Sequence, residues 1–144
     1  MSQQIYPICD ELICTVDHTV KDGKYSATLG LFDTKGILFN NKYNIDPYTV
    51  GNPVQTTDAF AIPGKPAALI VWRGLLALAC NSGTRGHLLF LNRKMEMLKP
   101  TMDFGYPIVA LSVWPDGRLG VSEMLEGTRV LLVQAIPKKK KKSK

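Results

Sequence analysis

Two stretches decide the reading: "VWRGLLALACNSGTRGHLLFLN", residues 71–92, and "VWPDGRLGVSEMLEGTRVLLVQ", residues 113–134. Each parses as apolar run, tight turn, apolar run, Gly-Thr turn, apolar run. Runs this short, bounded by Gly, Pro, Asp and Asn, read as strands joined by hairpins. Trp72 and Trp114 lie 42 residues apart, and so do Leu88 and Val130. Gly74 and Gly117 are 43 apart, which gives the later copy one extra residue in its first turn. The remaining length differences also fall in turns and at strand ends, where repeated structural units tolerate them. A period near 40 to 45 with several short strands in it is the pattern of propeller blades. Trp72 and Trp114, at one repeat position, are expected to fill the space between blades, with Gly74 and Gly117 shaping the first turns.

Outward from these copies the chain stays β-rich. Glu11 to Val20, Lys24 to Phe32 and a short run from Ile37 form a meander around Asp22-Gly23, a strong hairpin signal. Asp22-Gly23 aligns with Asp116-Gly117, which makes residues 11–41 a third, weaker copy. Residues 40–66 hold four prolines and four asparagines, and read as a long connection with one strand near Ala59 to Ile62. Residues 93–100 read as a helical turn or a fourth strand, ended by Pro100. No stretch supports a helix of three turns. The expected fold is all-β: consecutive antiparallel meanders, blade-like, in one domain over residues 1–137, with units at about 11–41, 66–100 and 107–135.

"WPDGRLGVSEMLEGTRVLLVQ" resembles the middle of a WD-repeat blade, in which strand, Pro-Asp-Gly turn, strand, Gly-Thr turn and strand follow in that order. Gly83-Thr84 matches Gly127-Thr128 in the second turn. The Trp-Asp dipeptide of that family would fall near Leu91-Asn92 and Val133-Gln134, and it is absent. The resemblance covers residues 66–135 and implies a β-propeller-like scaffold for protein–protein interaction. Three blades do not close a ring, because propellers have four or more. Self-association, completion of a partner's β-structure, a fragment of a larger protein, or a sandwich or barrel each answers this.

Charge is concentrated at one end. Lys138, Lys139, Lys140, Lys141, Lys142 and Lys144 account for the whole net charge of +6. Residues 138–144 are therefore expected to be a disordered polylysine tail, set off by Pro137, that seeks nucleic acid or another polyanion. The alternatives for it are a nuclear-import signal or a solubilising tail.

Catalytic motifs are missing: no Gly-x-Ser-x-Gly, His-Glu-x-x-His or phosphate-binding glycine loop occurs. Asp17 and His18 are neighbours, so a strand sends them to opposite faces. Cys9, Cys14, His18, Cys80 and His87 could supply zinc ligands, but no Cys-x-x-Cys pair is present. The expectation is no enzyme, no cofactor, no metal and no disulfide. No apolar run reaches the length of a bilayer span, and no signal peptide is apparent. An odd cysteine count points to a reduced intracellular setting, nucleus or cytoplasm. The functional expectation is a non-enzymatic scaffold in an intracellular assembly. The alternatives are a structural subunit of a virion or other large complex, and an oligomeric module that binds a small ligand or glycan.

Overall fold

A computed structural model describes residues 2–9, 12–33, 52–125 and 127–133. Among these residues the regular structure is all strand, in three antiparallel sheets. No helix among them is long and apolar enough to cross a membrane.

The first sheet contains β1 (Ser2–Cys9), β2 (Leu12–Lys21), β3 (Lys24–Asp33) and β4 (Asn52–Thr56) in that order, with β5 (Phe60–Ile62) also paired to β3. The second runs β6 (Lys65–Trp72), β7 (Leu75–Ser82), β8 (Arg85–Leu91), β9 (Met97–Phe104). The third runs β10 (Ile108–Val113), β11 (Leu119–Leu125), β12 (Gly127–Val133). The all-β expectation therefore holds, strand near residues 59–62 included.

Register shows how closely the second and third sheets repeat. Pro66 pairs with Cys80 and Leu69 with Leu78; at equivalent places Ile108 pairs with Glu123 and Leu111 with Val121. Leu76 pairs with Leu91, as Leu119 pairs with Val133. A β-bulge interrupts the first hairpin of each, between Pro66 and Ala68 and between Ile108 and Ala110. A bulge resets which face every later residue occupies, so a shared bulge marks a shared fold rather than chance similarity of meanders. In the turns, Arg73 and Gly74 both take positive φ (52° and 75°), while the longer third-sheet turn has one such residue, Gly117 at 87°. Positive φ favours glycine because it has no Cβ to clash.

Three details differ from the sequence reading. Asp22-Gly23 joins the second and third strands of its sheet, whereas Asp116-Gly117 lies between the first and second. The structural counterpart of Asp22-Gly23 is Gly83-Thr84, and the first unit starts at β1, ahead of residue 11. β1 escaped notice because it carries Pro7; as an edge strand it needs no N–H there. Residues 37–39 lie outside the described residues. Pro100 does not end its segment either: β9 runs on to Phe104. It is again an edge strand, and its register shifts between the partners of Leu88 and Phe90, where Pro100 falls.

The sheets stack face to face, and β6 neighbours both β1 and β10. On each sheet we call the face toward the next sheet forward and the opposite face backward. Cys14, Val16, Ala27 and Leu29 on the forward face of the first sheet pack on Leu69, Leu76, Leu78 and Leu89, the backward face of the second. Trp72, Ala77, Ala79, Leu88 and Phe90, the forward face of the second sheet, pack on Ile108, Leu119, Val121 and Val133, the backward face of the third. One packing relation is used twice.

His18 is buried on the forward face of the first sheet, its ring centroid 6.2 Å from that of Tyr25 and its Nδ1 without a hydrogen-bond partner. Burial first, and the charge of Lys65 second, hold the imidazole below its ordinary 6.5. The folded chain thus resists a proton that the unfolded chain accepts, so stability is lost as pH falls through 6.5. Urea midpoints measured between about pH 5 and 7 should decline toward acid, and His18→Gln should flatten that decline.

Candidate functional site

The junction between the second and third sheets shows what a covered face looks like. Trp72 ends β6 with its side chain forward; it is 1% exposed and its Nε1 donates to Gly117 O at 2.8 Å. Arg73 lies over the indole, 4.8 Å from the centroid, and its Nε donates to the same carbonyl at 3.3 Å. At the far end of β7, Asn81 acts as a short piece of strand. Its Oδ1 accepts from Ile108 N at 2.8 Å and its Nδ2 donates to Ile108 O at 2.9 Å. One side-chain amide thereby satisfies both backbone groups of the residue that starts β10. Apolar packing sets the distance between the sheets; the two pins set their lateral offset.

On the third sheet the equivalent forward face has no cover among the described residues. Ala110, Ser112, Trp114, Gly120, Ser122, Met124 and Val130 share it by register, and Trp114 is 40% exposed, Val130 48% and Met124 60%. Trp114 therefore occupies the position of Trp72 without its burial, contrary to the expectation that both fill space between blades. The reason is topological: Trp72 has a following sheet above it, and among the described residues Trp114 does not. Its indole folds instead onto its own sheet. Nε1 donates to Ser112 Oγ at 3.2 Å, and the ring covers Gly120, where an added Cβ would strike it. Among the described residues the backward face of the first sheet is uncovered too along β1, though Thr15 on β2 is buried. Ile5 is 59% exposed there, and Phe32 lies over Gly30, where a Cβ would come within 2.7 Å of Cε2.

A second constellation sits on the backward face of the second sheet, at the β7–β8 hairpin. Ser82 Oγ is 2.8 Å from His87 Nε2, and His87 Nδ1 is 2.8 Å from Asp103 Oδ1. Strand pairing produces this arrangement. Ser82 ends β7, His87 stands opposite Cys80 on β8, and Asp103 stands opposite His87 on β9. A cleft of about 510 Å³ beside it is lined by His87, Asp103, Ala61, Pro63, Leu89 and Met97, among others. Sequence reading missed this cluster because Asp103 is 16 residues from His87 and only β9 pairing joins them. The order hydroxyl, imidazole, carboxylate is that of a serine-hydrolase triad. Asp103, however, is 66% exposed, so water competes for its carboxylate.

The remaining candidates fall elsewhere. Cys9, Cys14 and Cys80 are free thiols; burial pushes both Cys14 and Cys80 up to about 12, far from reactive thiolates. Among the described residues no three His, Cys, Asp or Glu side chains converge as metal donors. Lys138, Lys139, Lys140, Lys141, Lys142 and Lys144 lie outside the described residues. No protein-family model and no curated protein matches the chain.

The Asn81 pin is directly testable. Asn81→Ala removes both partners of Ile108 and should cost about 1–3 kcal/mol in urea unfolding, the desolvation penalty of orphaned backbone groups. A loss below about 0.5 kcal/mol, the scale of an ordinary surface substitution, would show that water replaces the amide.

Proposed function

We propose that the chain is a non-enzymatic interaction module whose docking surfaces are the two uncovered faces at the ends of its sheet stack. One observation carries this reading: Trp114 repeats the position of Trp72, yet is exposed together with Val130 and Met124. A face whose counterpart forms a junction in the same chain is shaped for a sheet. Aromatic and Met side chains are also favoured at interface centres. The lysine run from 138 adds a polycation that engages nucleic acid or another polyanion inside the cell, where the contacts it makes position a protein without reading bases. Cross-linking mass spectrometry in native extract, with and without nuclease, tests both halves. Contacts through Trp114, Val130 or Ile5 should survive nuclease, and contacts through the lysines should not. Absence of any inter-chain cross-link at the two faces would remove the docking reading.

The bonded order of Ser82, His87 and Asp103 favours a second reading, acyl transfer at the neighbouring cleft. Ser82 Oγ would attack an ester carbonyl as His87 Nε2 takes its proton. That proton would then leave with the alcohol, and water would hydrolyse the acyl-serine in the same manner. A fluorophosphonate probe, which loses fluoride to a serine alkoxide, discriminates. Labelling at Ser82 that His87→Ala abolishes would establish a nucleophile. An unlabelled Ser82, with Ser82→Ala merely less stable by about 1 kcal/mol, would identify the chain of bonds as a clamp holding β9 to the hairpin.

A further inference from the structure

Among the described residues the stack has one uncovered forward face and one uncovered backward face. We infer that they belong together: the third sheet of one copy receives the first sheet of a second copy, and two chains close head to tail into a ring of six sheets. This rests on the reading of the two faces as docking surfaces, and names their occupant.

Three observations lead to a second copy. First, the chain already makes this junction twice, always forward face on backward face, as clusters around Leu29–Leu78 and Phe90–Val121 show. A third use requires a backward face, and the one left uncovered among the described residues is that of the first sheet, where Ile5 is exposed, Ile13 and Phe32 are half-buried, and only Thr15 is already buried. Second, the first strands are neighbours, β1 beside β6 and β6 beside β10. By that rule β10 should have a first strand on its other side. It is the less covered of the two equivalents on the forward side: Ala110 and Ser112 are exposed, while Ala68 and Ile70 at the same places on β6 are half-buried against the third sheet. The partner's β1 fits that place. Third, a forward-on-backward interface is heterologous, and such interfaces end only when the rotation closes. Propellers typically have four to eight blades. Three sheets per chain reach that range with two copies and overshoot it with three.

In such a ring Trp114 would leave its shallow seat on Gly120 and Ser112, or be capped there, and enter the environment that Trp72 occupies. The experiment uses the full chain. Sedimentation equilibrium over a wide concentration range should give twice the 15.9 kDa chain mass. Tryptophan emission should shift to the blue on association, and that shift should vanish in Trp114→Phe. Trp114→Glu and Ile5→Glu, on opposite faces, should each weaken the dimer at least tenfold. Val130→Glu serves beside Trp114→Glu, because it leaves the indole on Gly120 in place, and circular dichroism checks that each variant is folded. Mixing Trp114→Glu with Ile5→Glu restores one intact junction and should recover association that neither shows alone. Three results would overturn the proposal: a monomer at every concentration, a dimer weakened by Trp114→Glu but not Ile5→Glu (third sheets pairing with each other), or no recovery on mixing. A purified monomer whose Trp114 face still cross-links to another protein in extract would end the ring yet leave the docking reading standing.

Discussion

Burial of the second sheet on both faces is the constraint on which the structure turns. β7, "LLALACNS", is interior over Leu76, Ala77, Leu78, Ala79 and Cys80 without alternation. A strand wet on one side would alternate apolar and polar residues; this one cannot, because each face meets another sheet. Each fully buried Leu or Phe contributes on the order of 1.5–3 kcal/mol. The largest of them, Leu78, Leu88, Leu89, Leu91, Phe90 and Trp72, are concentrated on this sheet. The outer two sheets are organised by it, each having one face to bury.

Small residues on one side of β7 match large ones opposite. Ala77 and Ala79 leave room on the forward face for Trp72, Phe90, Leu119 and Val121, and the rings of Trp72 and Phe90 meet at 5.8 Å. Leu76 and Leu78 fill the backward side against Ala27 and Leu29. Such alternation of large and small lets sheets interdigitate at interior density. Hydrogen bonds then select among the lateral offsets that apolar packing leaves nearly equal in energy. Trp72 to Gly117 and Asn81 to Ile108 do this at opposite ends of one junction.

The terminal faces answer an old problem of sheet proteins, how to leave apolar surface in water. Here an aromatic side chain lies on a glycine of its own sheet at each end, Trp114 on Gly120 and Phe32 on Gly30. Glycine weakens a strand because it packs nothing, and a ring laid across it restores contact. Each ring thus packs its apolar surface on backbone that the glycine would leave bare. The Ser82–His87–Asp103 chain sits instead at a hairpin tip, where pairing of three strands aligns polar groups whatever their use.

The sequence by itself determined the class of fold, the hairpins at Arg73-Gly74 and Asp22-Gly23, and the kinship of residues 71–92 with 113–134. All three are local: strand periodicity, positive-φ turns and repeat spacing are written over a few neighbouring residues. It also placed Trp72 and Trp114 at one equivalent position. What it could not hold was their difference, since burial depends on whether another sheet follows, and the letters around the two are alike. Strand order was beyond it as well: Asp22-Gly23 looks like Asp116-Gly117, and only pairing of β1 with β2 reveals that it is a second turn rather than a first. The same holds for Asn81 against Ile108 and for His87 against Asp103. These contacts join residues far apart in the chain, and it is the stacking of sheets and the pairing of edge strands that bring them within 3 Å.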